Sequence, residues 1–207
     1  GYSQAAGTNA TAVGGAALAT KDNATAVGNN AIPSNIDATA VGKSASASGV
    51  NATSIGGSSR AIGDNATAVG RGAYSEGQSS TAVGVVAKTF GDYGTAVGVN
   101  ALSQGSGATA TGASSEATAD RTAAYGQNSS ASGLAATALG DASKASGENS
   151  TATGTNAAAS ADNTSAYGSG SIASANGATA LGQGAQASQT NATAVGTGAD
   201  AASEGAV

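Results

Sequence analysis

A glycine recurs every 14 residues without a single insertion or deletion, at Gly14, Gly28, Gly42, Gly56, Gly70, Gly84, Gly98, Gly112, Gly126, Gly140, Gly154, Gly168, Gly182 and Gly196. Self-similarity at a fixed period is the signature of a repeat architecture, in which each unit buries its faces only against its neighbours. The residue two before the glycine is Ala in thirteen copies and Ser54 in the other. The residue three before it is Thr in twelve, with Ala123 and Ser165 as exceptions. The position just before the glycine is mostly branched or apolar, as at Val13, Ile55, Val83 and Leu139. A weaker glycine follows seven residues on, at Gly49, Gly63, Gly77, Gly91, Gly105, Gly133 and Gly147. The unit therefore reads NATAVG followed by xxAxASGx, two short segments each closed by a turn.

Two heptads also span 14 residues, but Gly in every copy and Thr and Val at the apolar positions disfavour a helix, and no leucine seam exists. Collagen needs Gly at every third position and abundant Pro, whereas Pro33 is the only proline. A disordered chain has no physical reason to hold an apolar residue at a fixed phase through fourteen copies. Short segments with β-branched residues in alternation, bounded by Gly and Asn, read as strands and turns. Each unit becomes one coil with two strands, and successive coils stack by parallel pairing at about 4.8 Å. The expected fold is an all-β parallel β-roll, a single-stranded solenoid of 14-residue coils over residues 1–207.

Alternation along a strand places the Thr and the Val on one side and the Ala between them on the other. Hydrophobicity suggests that Thr and Val fill the thin coil. The Ala column would then form a smooth outer strip suited to packing against sister chains, at Ala12, Ala26, Ala40, Ala68, Ala82, Ala96, Ala110, Ala138, Ala180 and Ala194. Coils this small bury little apolar area, and folds of that kind gain from oligomerisation.

Composition narrows the chemistry. With 33 Gly and one Phe, Phe90, there is no bulk for a thick globular core. Net charge is −5 with few charged residues, so no basic field exists to hold a phosphate backbone. The chain has neither Cys nor His, which removes disulfides, thiolate sites and the usual proton shuttle. No apolar run approaches the roughly 20 residues of a membrane helix, and no signal peptide is visible at the first ten residues. No catalytic, metal or cofactor site is expected, and no enzyme activity.

Asn stands five before the glycine at Asn9, Asn23, Asn51, Asn65, Asn149, Asn163 and Asn191, with Asp37 a close substitute, as a tight corner requires. The preceding column is acidic at Asp22, Asp64, Asp92, Asp120, Glu148, Asp162 and Glu204. Between Asp64 and Glu148 the acids fall in every other coil, which reads as spacing of like charges. Sequence varies freely four after the glycine, at Arg60, Tyr74, Lys88 and Lys144, and one after it, at Lys43 and Arg71. Variable side chains on a fixed scaffold are where a binding surface would be written, so these six are the candidate ligand-binding residues.

The unit NATAVG with its trailing xxAxASG, clear at residues 9–14, 23–28, 65–70 and 191–196, resembles the repeat of the YadA-like head domains of trimeric autotransporter adhesins. That resemblance implies a left-handed roll, a homotrimer, and exposure on the bacterial cell surface, held at the outer membrane by a stalk and anchor that are absent from residues 1–207. It also implies binding of extracellular matrix proteins (collagen, fibronectin or laminin) or host-cell receptors, or self-association. Thr three before the glycine replaces a larger apolar residue of the collagen-binding head, which weakens the expectation of collagen. Two other functions compete: a passive spacer that projects another domain, and an ice-binding solenoid, suggested by the Thr column.

Overall fold

The computed structural model describes residues 1–205; the last two positions of the expected 1–207 head lie outside the described residues. The chain is a parallel β-solenoid of strands and turns, with no helix among the described residues. Each coil contributes a three-residue strand such as Thr67–Val69 and a two-residue strand such as Tyr74–Ser75. Pairing is parallel and displaced by one repeat, so that Thr67, Ala68 and Val69 stand opposite Thr81, Ala82 and Val83. The chain divides into two compact units, Gly1–Ser106 and Gly107–Val207. In the first, the three-residue strands from Thr11–Val13 to Thr95–Val97 form one parallel sheet, and the two-residue strands from Ile32–Pro33 to Leu102–Ser103 form another. In the second, the corresponding strands run from Thr109–Thr111 to Thr193–Val195 and from Glu116–Ala117 to Asp200–Ala201.

Both corners of a coil are single β-turns. The amide of Ala17 donates to the carbonyl of Gly14 at 3.2 Å, and that of Ala24 to Lys21 at 3.2 Å. The third residue of each turn has positive φ, near 57° at Asn23 and 56° at Asn30, and Asn accepts that conformation better than other non-glycine residues. The repeat glycine is fixed twice over. Gly42 has φ 132°, and a Cβ there would lie 2.6 Å from the carbonyl oxygen of Gly56 in the next coil.

The structure reverses the expected facing of the strands. Ala26, Ala40, Ala68, Ala82, Ala96, Ala110, Ala138 and Ala180 are fully buried within the single chain, Ala194 nearly so, and Ala12 in the end coil is half-buried. They line the inside of the coil and cannot meet a sister chain. Thr and Val point outward, and Val97 keeps 37% of its surface exposed and Leu139 48%. The reason lies in the corners. The ends of a β-turn are less than about 7 Å apart, so sheets joined on both sides by single turns sit closer than the roughly 10 Å usual for packed sheets. Small side chains fit between them, mostly Ala and Ser, with Thr89, Thr122, Thr164 and Pro33 the largest that are fully buried.

Four such positions per coil point inward, for example Ala17, Ala19, Ala24 and Ala26. Where a hydroxyl replaces a methyl hydrogen, it finds a partner inside. Ser54 and Ser59 approach to 2.7 Å, and Ser59 donates to the carbonyl of Gly56. Among the described residues no buried side-chain nitrogen or oxygen lacks a hydrogen bond, as a dry interior demands. Volume is matched as well: a Cβ on Gly94 would come within 2.9 Å of both the Gly91 carbonyl and Ser103 Oγ, with Thr89 nearby.

This packing predicts opposite outcomes for adjacent residues. Ala187→Leu should lower stability by about 3 kcal/mol or more, because overpacking has no slack to use, while Gln186→Ser, exposed on the face away from the Val column, should change it by no more than about 0.5 kcal/mol. Urea unfolding of both variants checks the pair.

Candidate functional site

The face opposite the Thr and Val columns carries the variable residues. The two-residue strands stack Arg60, Tyr74 and Lys88 as consecutive rungs of one ladder. Two residues further along the same face stand Glu76 and Phe90, since side chains at i and i+2 share a side. Tyr74 joins the cluster together. Its ring lies 5.6 Å from that of Phe90 at an interplanar angle of 46°, a tilted arrangement that suits the ring quadrupoles. The Arg60 guanidinium carbon is 5.5 Å from the Tyr74 ring centroid, within cation–π range. The Tyr74 hydroxyl donates to Glu76 Oε2 at 2.8 Å. That hydrogen bond, helped by partial burial and by the Glu76 charge, holds the phenol above its ordinary pKa, against a smaller opposing effect of Arg60.

Gly72, Tyr74, Lys88 and Phe90 line a recess of about 240 Å³. Gly72 has φ +66° and occupies the corner column that holds Asn30 and Asn100 in other coils. The coil from Gly84 to Gly98 departs furthest from the consensus. Val86 at φ 59° sits in a corner column that otherwise holds Asn, Ser, Ala or Gly, and Tyr93 at φ 58° in one that otherwise holds Asn, Ser, Ala, Gly, Asp37 or Arg121. Left-handed backbone is strained for a β-branched residue, and such strain gathers at functional sites. Beneath the cluster, Ser75 and Ser80 are 2.6 Å apart, and Thr89 Oγ1 lies 3.0 and 3.1 Å from their hydroxyl oxygens. The interior is polar where the exterior is aromatic.

Of the six candidate residues, the structure gathers Arg60, Tyr74 and Lys88. Lys43 and Arg71 are exposed at corners, and Lys144 belongs to the second unit. Gly72, Glu76 and Phe90 were missed, although the spacing from Tyr74 to Glu76 and from Lys88 to Phe90 puts those two side chains on the same face. The acidic column also has a purpose beyond spacing charge. Asp22, Asp64, Asp92 and Asp162 each accept, at 2.8 Å, the backbone N–H of the residue one coil earlier. Among the described residues no group of three or more His, Cys, Asp or Glu could hold a metal ion, and no helix is long and apolar enough to cross a membrane.

The profile of the YadA head domain repeat matches residues 5–31, 34–59, 47–73, 75–101, 131–157, 145–171 and 173–199. The chain belongs to the YadA head-domain family. A solved structure, the collagen-binding domain of the Yersinia adhesin YadA, is similar at 26% identity over 73% of this chain and 69% of that one, with a TM-score of 0.43. No curated protein matches. Membership in the YadA head family suggests an adhesin-type function of the trimeric autotransporter kind.

Two outcomes follow from the cluster. Val86→Asn should raise stability by about 1 kcal/mol in thermal unfolding, the approximate relief of a left-handed conformation. Glu76→Gln should lower the Tyr74 pKa, read by ultraviolet difference titration against Tyr74→Phe. Because folding raises this pKa, the contribution is complete below the ordinary phenol range and is lost as pH rises through the folded-state value; in Glu76→Gln that loss is smaller and is complete at lower pH.

Proposed function

We propose that this chain is the adhesive head of a trimeric surface protein, exposed at the bacterial outer membrane and attaching the cell to matrix proteins, host cells, abiotic surfaces or other bacteria. The register of the YadA head repeat along the chain carries the reading. The outward Val column supports a trimer. Ile55 and Val97 in the first unit, and Leu139 and Leu181 in the second, leave large apolar side chains in water when the chain is alone. Burying them against sister chains gives the thin coils apolar contact that their Ala interior cannot supply. The sister-facing surface is then the Thr and Val face, and the variable face looks outward to a ligand.

Outward Thr side chains also favour a second reading, an ice-binding face. A face buried in a trimer cannot bind ice, so the two readings separate. Sedimentation should show a trimer that Val83→Asp disrupts and that Ser46→Asp, on the opposite face, leaves intact. A monomer with thermal hysteresis would favour ice binding instead. Purified trimer should adhere to matrix proteins, to cells or to itself, and in-register deletion of the coil containing Phe90 should reduce that adherence. Unchanged adherence after deletion would mark a passive spacer.

A further inference from the structure

We propose that the recess formed by Gly72, Tyr74, Lys88 and Phe90, flanked by Arg60 and Glu76, binds a carboxylated sugar, a uronic or sialic acid unit of a glycan. The inference rests on the adhesive reading for its setting and adds to it a ligand class and a location.

Three observations select that chemistry. Tyr74 and Phe90 supply two tilted aromatic rings on an exposed face, and the electron-rich face of an aromatic ring attracts the C–H hydrogens on the flat side of a pyranose. Lys88 lines the recess and Arg60 stands over Tyr74, so two cations border one aromatic platform in a chain that is acidic overall. A cationic ligand would be repelled by both, whereas a carboxylate gains a charge-assisted hydrogen bond from either. Glu76 fixes the Tyr74 hydroxyl and offers an acceptor at the margin for a sugar hydroxyl. The volume of about 240 Å³ lies below the roughly 300–1,000 Å³ of sites for drug-sized ligands, which suits a single ring. A phosphodiester chain would need a longer basic track than two side chains, and an acidic peptide without aromatic or ring groups leaves the aromatic platform unused.

The scaffold allows clean variants. The Tyr74 and Lys88 column holds Ala158 in another coil, the Phe90 column holds Ser48 and Ser146, and the Gly72 column holds Asn100 at φ 57°. Tyr74→Ala, Lys88→Ala, Phe90→Ser and Gly72→Asn are therefore substitutions the fold already accepts, and Gly72→Asn adds a side chain to a residue that lines the recess, in a backbone conformation Asn already adopts in that column.

The experiment is calorimetric titration of the purified chain with four probes: a glucuronate-containing tetrasaccharide, the same compound with its carboxylates reduced to alcohols, a sialylated trisaccharide, and a short poly-glutamate peptide. At least one acidic sugar should bind, and which one does identifies the source. Carboxylate reduction, Lys88→Ala, Tyr74→Ala and Gly72→Asn should each weaken binding about tenfold or more, the loss expected for one charge-assisted hydrogen bond or one stacking contact, with circular dichroism unchanged. Absence of binding by both acidic sugars, equal binding of the reduced compound, or affinity untouched by Gly72→Asn and Tyr74→Ala would overturn the proposal. Binding of poly-glutamate in place of the sugars, with the same dependence on Lys88 and Tyr74, would overturn it in favour of acidic peptides. A chain that adheres to surfaces yet binds neither sugar keeps the adhesive function and loses this site, so the two failures are distinguishable.

Discussion

The turn that closes each corner governs the rest of the structure. A four-residue turn at both sides of a coil sets the distance between the two sheets, and that distance admits only Ala, Ser, Gly and an occasional Thr or Pro inside. The interior therefore contributes little hydrophobic area per coil. Cohesion comes from a backbone ladder with one-repeat register, from corner glycines that let successive coils approach, and from carboxylates that accept the N–H of the preceding coil. Among the described residues no Val, Leu, Ile, Tyr or Phe side chain is buried, so the same constraint that thins the core writes the molecule's chemistry on its faces.

Much of this was legible in sequence. The 14-residue glycine period fixed the coil length, the parallel stacking and the strand positions, because a period admits no other register. The facing of the strands was misread. Hydrophobicity placed Val83 inside and Ala82 outside, and the structure has Ala82 inside, because space between the sheets outweighs apolar transfer at this width. Turn length, read from Gly to the third residue beyond it, held the information. Of the variable face, Arg60, Tyr74 and Lys88 were visible as variable residues in one column. Their grouping with Phe90 and Glu76 depends on contacts between adjacent coils, which a column-by-column reading does not compare.

The coil from Gly84 to Gly98 shows how a regular scaffold accommodates an irregular patch. Its interior exchanges Ala for Thr89 and compensates with Gly94, while its corners carry Val86 and Tyr93 in left-handed backbone. The neighbouring coils remain regular enough to hold the ladder in register on both sides. Departures that weaken a repeat locally are tolerated when adjacent units are well formed, since stability in a stacked array depends on nearest neighbours. Function can thus be concentrated in one or two coils without loss of the fold.

The account depends on the alanine column lying inside each coil, and Ser54, the one non-alanine member of that column, offers a direct test. Its Oγ lies 2.7 Å from that of Ser59 across the interior. In a chain carrying Ser54→Cys and Ser59→Cys, mild oxidation should form a disulfide within each chain, seen as loss of two thiols with no covalent dimer on a non-reducing gel. Covalent linkage between chains, or two thiols still open to alkylation in the native protein, would contradict the inward facing.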